Sequence, residues 1–222
     1  MAGILFIISA PSGSGKSTLV AQVRSLVEGL DFSVSYTTRA PRGSETDGRE
    51  YHFTQRDTFE QMIADGDFLE WAEVFGNYYG TALSALDHAR AAGKDLLLDI
   101  DVQGALQIMQ RRPEAVSIFI LPPSPQVLEM RLRNRSEAEH MTAEDVIARR
   151  LRQAHGELAK VWDYKYALVN DVLDQATAEM RAIVLYERGM RDGVTAMAES
   201  CRTRARSARL DAALATFHIA ES

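Results

Sequence analysis

The stretch Ile4-Leu5-Phe6-Ile7-Ile8-Ser9-Ala10-Pro11-Ser12-Gly13-Ser14-Gly15-Lys16-Ser17-Thr18 decides how this 222-residue chain is read. Five consecutive apolar residues, Ile4 to Ile8, read as a strand buried on both faces, as in a parallel sheet covered by helices. A loop of small residues follows, then a helical pattern from Lys16 to about Glu28. The pattern G-x-x-x-x-G-K-[ST] is met from Gly15 onward, with Ala10 in place of its first glycine. Backbone N–H groups must turn inward around a phosphate, and Gly13 and Gly15 permit that approach. The helix opening at Lys16 points its N-terminal dipole at the anion. The spacing therefore predicts a nucleotide-phosphate site over Ala10, Pro11, Ser12, Gly13, Ser14, Gly15, Lys16, Ser17 and Thr18. Lys16 would reach the β- and γ-phosphates, and the Ser17 hydroxyl would ligate Mg²⁺, partly through water. The competing reading is a plain glycine-rich turn. Composition weighs against it, because only Lys16, Lys94, Lys160 and Lys165 among the 25 basic residues are lysines. A lysine in this one slot of an arginine-rich chain is not incidental. The loop alone does not choose between a kinase, a GTPase and an ATPase.

Further along, Leu96 to Ile100, interrupted by Asp99, and Val116 to Leu121, interrupted by Ser117, are short apolar runs, and Ala167 to Asn170 is a weaker one. Each precedes a helical pattern, at Gly104 to Arg111, Pro125 to Arg135 and Leu173 to Arg191. The alternation predicts an α/β fold, a parallel sheet flanked by helices. Two stretches break it. Phe32 to Thr81 is rich in Ser, Thr, Tyr, Gly and charge, and reads as a small mixed insertion. Asn134 to about Lys160 is strongly charged and helical, with Thr142 and Asp145 spaced to start a helix at Ala143. The expected division is a core of residues 1–32 and 82–222, holding a helical segment at about 134–160 and a tail at about 192–222, with an insertion at 33–81. The tail carries Arg202, Arg204, Arg206 and Arg209 against Asp192, Glu199, Asp211 and Glu221. It reads as a solvated terminal helix.

Composition sets outer bounds. A net charge of −6 argues against general binding to nucleic acid or to anionic membranes. Cys201 is the only cysteine, which excludes an internal disulfide framework or a thiolate metal cluster and fits a reducing compartment. No apolar run approaches the ~20 residues of a spanning helix, and no signal-type cleavage site is present. The expected location is the cytoplasm. His52, His88, His140, His155 and His218 show no zinc-ligand spacing.

Several segments together carry a family resemblance. They are Ser33-Val34-Ser35-Tyr36-Thr37-Thr38-Arg39-Ala40-Pro41-Arg42, Gly48-Arg49-Glu50-Tyr51-His52-Phe53, Phe68-Leu69-Glu70-Trp71-Ala72, Gly76-Asn77-Tyr78-Tyr79-Gly80-Thr81 and Leu98-Asp99-Ile100-Asp101-Val102-Gln103-Gly104. In this order and spacing the series resembles the guanylate kinases, over roughly residues 4 to 190. The resemblance implies a phosphate-loop kinase core, a GMP-binding insertion and a helical lid, with ATP and Mg²⁺ as cosubstrate and cofactor and GMP (or dGMP) as acceptor. Insertion and lid would close on the core and exclude water.

Guanine shows an acceptor at O6 and donors at N1 and N2. The resemblance gives the donors to Glu70 and Asp101, and the acceptor to Ser35 and Thr81. It gives the GMP phosphate to Arg39, Arg42, Tyr51 and Tyr79. Alone, Glu70 would be an ordinary surface charge and Tyr79 an ordinary core aromatic. Asp99 would orient Mg²⁺ through water or anchor the acceptor, or else merely cap a strand end. Arg131, Arg135 and Arg150 would form the lid over the transferring group, with Arg149 competing for the third place. Asn170 would lie near the adenine or simply form a strand-end turn. Two other readings stand beside catalysis: a guanylate-kinase-like module that binds phosphoproteins, and a kinase for another phosphorylated small molecule such as a ribose bisphosphate. The first could dispense with Gly13, Gly15, Lys16 and Ser17. The second would not need Ser35, Glu70 and Thr81. Nothing in the sequence sets the oligomeric state.

Overall fold

Strand β1 (Leu5–Ser9) is buried along its whole length in the computed structural model, which describes residues 3–138 and 144–219 and, at 135–138, the backbone alone. The start expected at Thr142 and Ala143 lies outside the described residues. Helix α1 (Lys16–Leu26) follows, then β2 (Leu30–Ser33), β3 (Tyr36–Thr37), β4 (His52–Phe53), α2 (Arg56–Asp65), β5 (Phe68–Val74), β6 (Asn77–Ala82) and α3 (Leu83–Ala91). Next come β7 (Asp95–Asp99), α4 (Val102–Arg111), β8 (Val116–Leu121), α5 (Pro125–Ala138), α6 (Glu144–Leu158), β9 (Tyr166–Val169), α7 (Leu173–Glu187), α8 (Thr195–Ser200) and α9 (Ala208–Thr216).

Strands β2, β7, β1, β8 and β9 form one sheet in that order, and β2–β7 and β8–β9 pair parallel. Leu96 to Leu98 and all of β8 are buried, as apolar runs in a helix-covered sheet must be. The fold is therefore the expected α/β class. β2 is an addition to the sequence reading. Its pattern Leu-Asp-Phe-Ser buries only Leu30 and Ser33, because an edge strand needs no unbroken apolar run.

The chain divides into two compact units, residues 1–7 with 29–115 and residues 8–28 with 116–222. In the first, a second sheet runs β4-β3-β6-β5. Its aromatic core stacks Phe59 on Phe68 at 4.4 Å and on Tyr78 at 5.3 Å. Helix α4 is capped by Asp101, whose carboxylate accepts from the N–H groups of Gln103 and Gly104, a contribution of about 1 kcal/mol. Gln107 and Arg111 of α4 donate to the carbonyls of Trp71 and Leu69, tying the helix to β5.

In the second unit, α1 buries Leu19, Val20 and Val23, and Thr177 of α7 donates to the Gln22 side chain at 2.7 Å. The tail departs from the reading as a solvated helix. Gly189 and Gly193 take positive φ and turn the chain, α8 and α9 are separate, and Leu210, Ala213, Leu214 and Phe217 are buried. Its arginines are engaged with acids: Arg202 with Glu199, Arg206 with Asp211, and Arg209 with Asp171 and Glu179. The apolar residues that follow Arg209 bury one face of α9 and dock it. Among the described residues no helix is long and apolar enough to cross a membrane.

Candidate functional site

The residues singled out from the sequence fall into two groups, each complete within one unit. In the second unit, Ser9 ends β1 and the loop 10–15 closes with Ser14 N–H donating to Pro11 O at 3.1 Å. Gly13 and Gly15 have φ of 90° and 80°, a region that side chains with a Cβ rarely enter. Space is also lacking. A Cβ on Gly15 would stand 2.6 Å from Asn170 Nδ2, and one on Gly13 would stand 3.1 Å from Leu128 and Leu132. Lys16 opens α1, and Ser17 and Thr18 are exposed on its first turn. The Ser14 hydroxyl is buried without a hydrogen-bond partner. Backbone N–H groups, a helix N-terminus and a lysine thus share one cradle, which suits an anion.

Asn170 and Arg131 join this loop. Asn170 is 4% exposed, and its Nδ2 donates to Ser14 O at 2.8 Å. Arg131 donates to the same carbonyl at 3.2 Å and to Asn170 O at 3.1 Å. Its bonds thus go to carbonyls. Burial lowers its pKa, with only the Asp171 charge pulling the other way. A half-buried cation so placed favours an arriving anion. Arg150 lies on the buried face of α6 with Ile147 and Leu158, and Arg149 on the exposed face. Arg135 falls within α5, one turn after Arg131, and its side chain is outside the described residues.

In the first unit, Glu70 is 2% exposed. A bulge between Phe68 and Glu70 shifts the β5–β6 register and sets Glu70 opposite Thr81. Burial pushes the Glu70 carboxyl up to about 7. The Thr81 hydroxyl and N–H draw it back, and the Asp101 charge adds to the rise. The Thr81 Oγ1 is itself buried and makes no hydrogen bond of good geometry. A buried carboxyl and a buried hydroxyl thus stand opposite each other on neighbouring strands. Ser35 is also buried.

A cationic and phenolic group lies in the same unit. Arg39, 8% exposed, forks onto Glu45 at 2.9 and 3.0 Å and donates to Ala40 O at 2.7 Å. Glu45 also accepts from Arg42 N–H at 2.8 Å. These bonds use three of the five guanidinium N–H donors, and Tyr79 lies within reach of the rest. The guanidinium sits 5.2 Å from the Tyr51 ring, which meets Tyr79 edge-on at 5.8 Å. Burial, then the Asp99 charge, pushes the Tyr51 hydroxyl up to about 12, so it stays a donor at neutral pH. Asp99 ends β7 and Asp101 caps α4.

Two supporting residues are absent from the sequence reading as site residues. Glu45 holds the Arg39 fork and the Arg42 backbone together. Gly104 is required by Glu70, because a Cβ there would stand 2.2 Å from Glu70 Oε2. Gly104 was visible in the motif series. Its role was not, because only the folded register brings α4 onto Glu70.

A family model described as guanylate kinase matches residues 3–187. A curated guanylate kinase of Koribacter versatilis (strain Ellin345) is 56% identical over 188 residues, 85% of this chain and 80% of that protein. One of Syntrophotalea carbinolica (strain DSM 2380 / NBRC 103641 / GraBd1) is 51% identical over 185 residues, 83% and 86% of the two chains. The crystal structure of guanylate kinase from Anaplasma phagocytophilum aligns with a TM-score of 0.66 at 32% identity, covering 90% of this chain and 95% of that one. A phosphate loop alone is shared by many nucleotide enzymes, but these matches run through the insertion, the sheet and the helices alike, and the chain belongs to the guanylate kinase family.

Proposed function

We propose that the protein is an ATP:GMP phosphotransferase that converts GMP, and dGMP, to the diphosphate by in-line displacement. The observation that carries this reading is the buried Glu70 carboxyl set opposite Thr81, whose hydroxyl is buried beside it. Guanine offers two adjacent N–H donors and a carbonyl acceptor, which such a pair would satisfy. In this reading Glu70 and Asp101 take the guanine donors and Ser35 and Thr81 the acceptor side. Arg39, Arg42, Tyr51 and Tyr79 hold the GMP phosphate, with Asp99 beside Tyr51. The insertion 33–81 serves GMP, and residues 134–160 serve as the lid.

The GMP phosphate oxygen is already an anionic nucleophile, so no general base is required. Positioning and charge stabilisation supply the catalysis. The loop N–H groups and Lys16 hold the donor phosphates. Arg131, Arg135 and Arg150 offset charge on the transferring group, Arg150 being preferred to the exposed Arg149. Magnesium arriving with ATP would neutralise charge on its phosphates. The Ser17 hydroxyl, exposed on the first turn of α1, is a hard oxygen donor suited to it. A cytoplasmic location belongs to the same reading, supported by the single cysteine, Cys201, which fits a reducing compartment.

The Glu70 titration tests the guanine reading. The carboxyl must be ionised to accept two donors, so kcat/KM for GMP should fall as pH drops below about 7. Glu70→Gln should lack that limb and keep only the substrate phosphate's own limb near ~6. The folded pKa is raised, so stability from neutral Glu70 is full below the unfolded value and is lost as pH rises through about 7. Glu70→Gln should therefore melt higher than wild type at pH 8, by on the order of 3 kcal/mol at most. Equal melting curves and identical pH profiles would remove the buried carboxylate from the account.

Gly104→Ala tests the placement of the same carboxylate. The new Cβ must displace Glu70 Oε2. The GMP KM should rise at least ~10-fold, while the ATP KM stays within twofold. A rise in the ATP KM of equal size would show a general distortion instead.

A further inference from the structure

The family match ends at Glu187, yet the chain beyond it is built into the second unit. Residues 201–203 run antiparallel beside β9. Ala167 N–H donates to Cys201 O at 2.9 Å, Thr203 N–H donates to Lys165 O at 3.1 Å, and Tyr166 bridges Arg202. The segment thus covers the outer edge of β9, the last strand of its sheet. Arg206 then turns the chain with φ 50°, and the Ser207 hydroxyl accepts from Leu210 N–H to start α9. Leu210, Ala213 and Leu214 bury the inner face of that helix.

This docking delivers Arg209 to the end of β9. Its Nη2 donates to Val169 O and to the Asp171 carboxylate, and its Nη1 donates to Glu179. Burial works to raise the Asp171 pKa, but the bonds from Arg209 and Val172 N–H outweigh it and hold the carboxylate below its ordinary range. One guanidinium therefore grips the residue before Asn170 and the residue after it. Asn170 is the side chain that braces Ser14 of the phosphate loop and fills the space beside Gly15. Its carbonyl accepts from Arg131, and its N–H donates to Leu121 O at 2.8 Å.

We propose that Arg209 is a positioning residue for the donor nucleotide: through Val169 and Asp171 it fixes Asn170 against the phosphate loop, so that the C-terminal segment sets the affinity for ATP. The inference rests on the donor-site reading above and adds to it a residue outside the family match. Glu179 on Nη1 fixes the guanidinium plane, so that the two N–H donors of Nη2 hold Val169 O and the Asp171 carboxylate in set directions, which a freely rotating ammonium does not do. Loss of the fork lets Asn170 leave Ser14, and the loop N–H groups then pay the ordering cost on binding.

The test measures ADP binding by calorimetry without GMP, together with steady-state kinetics and melting, for wild type, Arg209→Ala and Arg209→Lys. For Arg209→Ala the ADP Kd and the ATP KM should each rise about tenfold. The GMP KM, and kcat at saturating ATP, should stay within twofold. Arg209→Lys keeps the charge but not the fork, and should lie between the two at about threefold. If Arg209→Ala does not fold, the threefold shift in Arg209→Lys carries the test. Unchanged ADP and ATP affinity in the folded variants, even with lowered melting temperatures, would make Arg209 merely structural and overturn the proposal. A wild-type protein that binds no ADP would overturn the donor-site reading itself, and the proposal with it.

Discussion

Lys16→Ala should remove at least ~10³-fold of kcat while the protein keeps its circular dichroism and its melting temperature. The reason lies in where the residue stands. Lys16 is the first residue of α1, and the buried face of that helix is Leu19, Val20 and Val23. Its aliphatic stem is not part of that face, so truncation costs little packing. Its charge lies at the positive end of the helix, beside a loop whose glycines adopt φ of 90° and 80°. A cation beside a helix N-terminus strengthens the pull of both on an anion bound in the cradle. In the proposed reading the residue therefore serves phosphate. A stable Lys16→Ala enzyme with near wild-type kcat would show that the loop is only a turn.

The second large effect concerns the base. AMP placed in the guanine pose brings an unprotonated N1 to Glu70 and a donor where guanine has its O6 acceptor. Glu70 is buried, so mispairing leaves charge and lone pairs unsatisfied away from water. A site built to hydrogen-bond one edge rejects another by ~10⁴. Wild-type protein should show that ratio in kcat/KM for GMP over AMP. Glu70→Gln should shrink it mainly by losing GMP, since an amide keeps one acceptor but turns its NH₂ toward a guanine donor. Arg39→Ala is the control. In the proposed reading Arg39 serves phosphate and not base, so its loss should weaken every monophosphate alike. Discrimination untouched by Glu70→Gln would take the base-reading role from Glu70.

The parts of the fold that the sequence reveals are those whose physics is local. β8 coincides with the run Val116 to Leu121, because a strand buried on both faces is nearly all apolar, its one polar residue, Ser117, being buried with the rest. The strand–loop–helix at residues 5–26 was equally plain, since the glycines, the lysine and the helix start must fall in one fixed order. β3 and β4 are two residues each and exist only through their partners, so no periodicity could announce them. The tail differs from its sequence reading because its arginines dominate the pattern, while the acidic partners of Arg209, Asp171 and Glu179, lie 38 and 30 residues away in sequence. The supports of the site were hidden for the same reason. Glu45 beneath Arg39 is near in sequence, but Gly104 beneath Glu70 and Arg209 behind Asn170 become neighbours only after folding.

The central claim is that this chain phosphorylates a monophosphate chosen by its guanine edge. A coupled assay of ADP release, run with ATP and magnesium against GMP, AMP, CMP and UMP at equal concentrations, tests it most directly. Rapid turnover with GMP is the expected result, with the other three at least about 10³-fold slower. Turnover of AMP at a rate comparable to GMP, or no ADP release with any of the four, would contradict it.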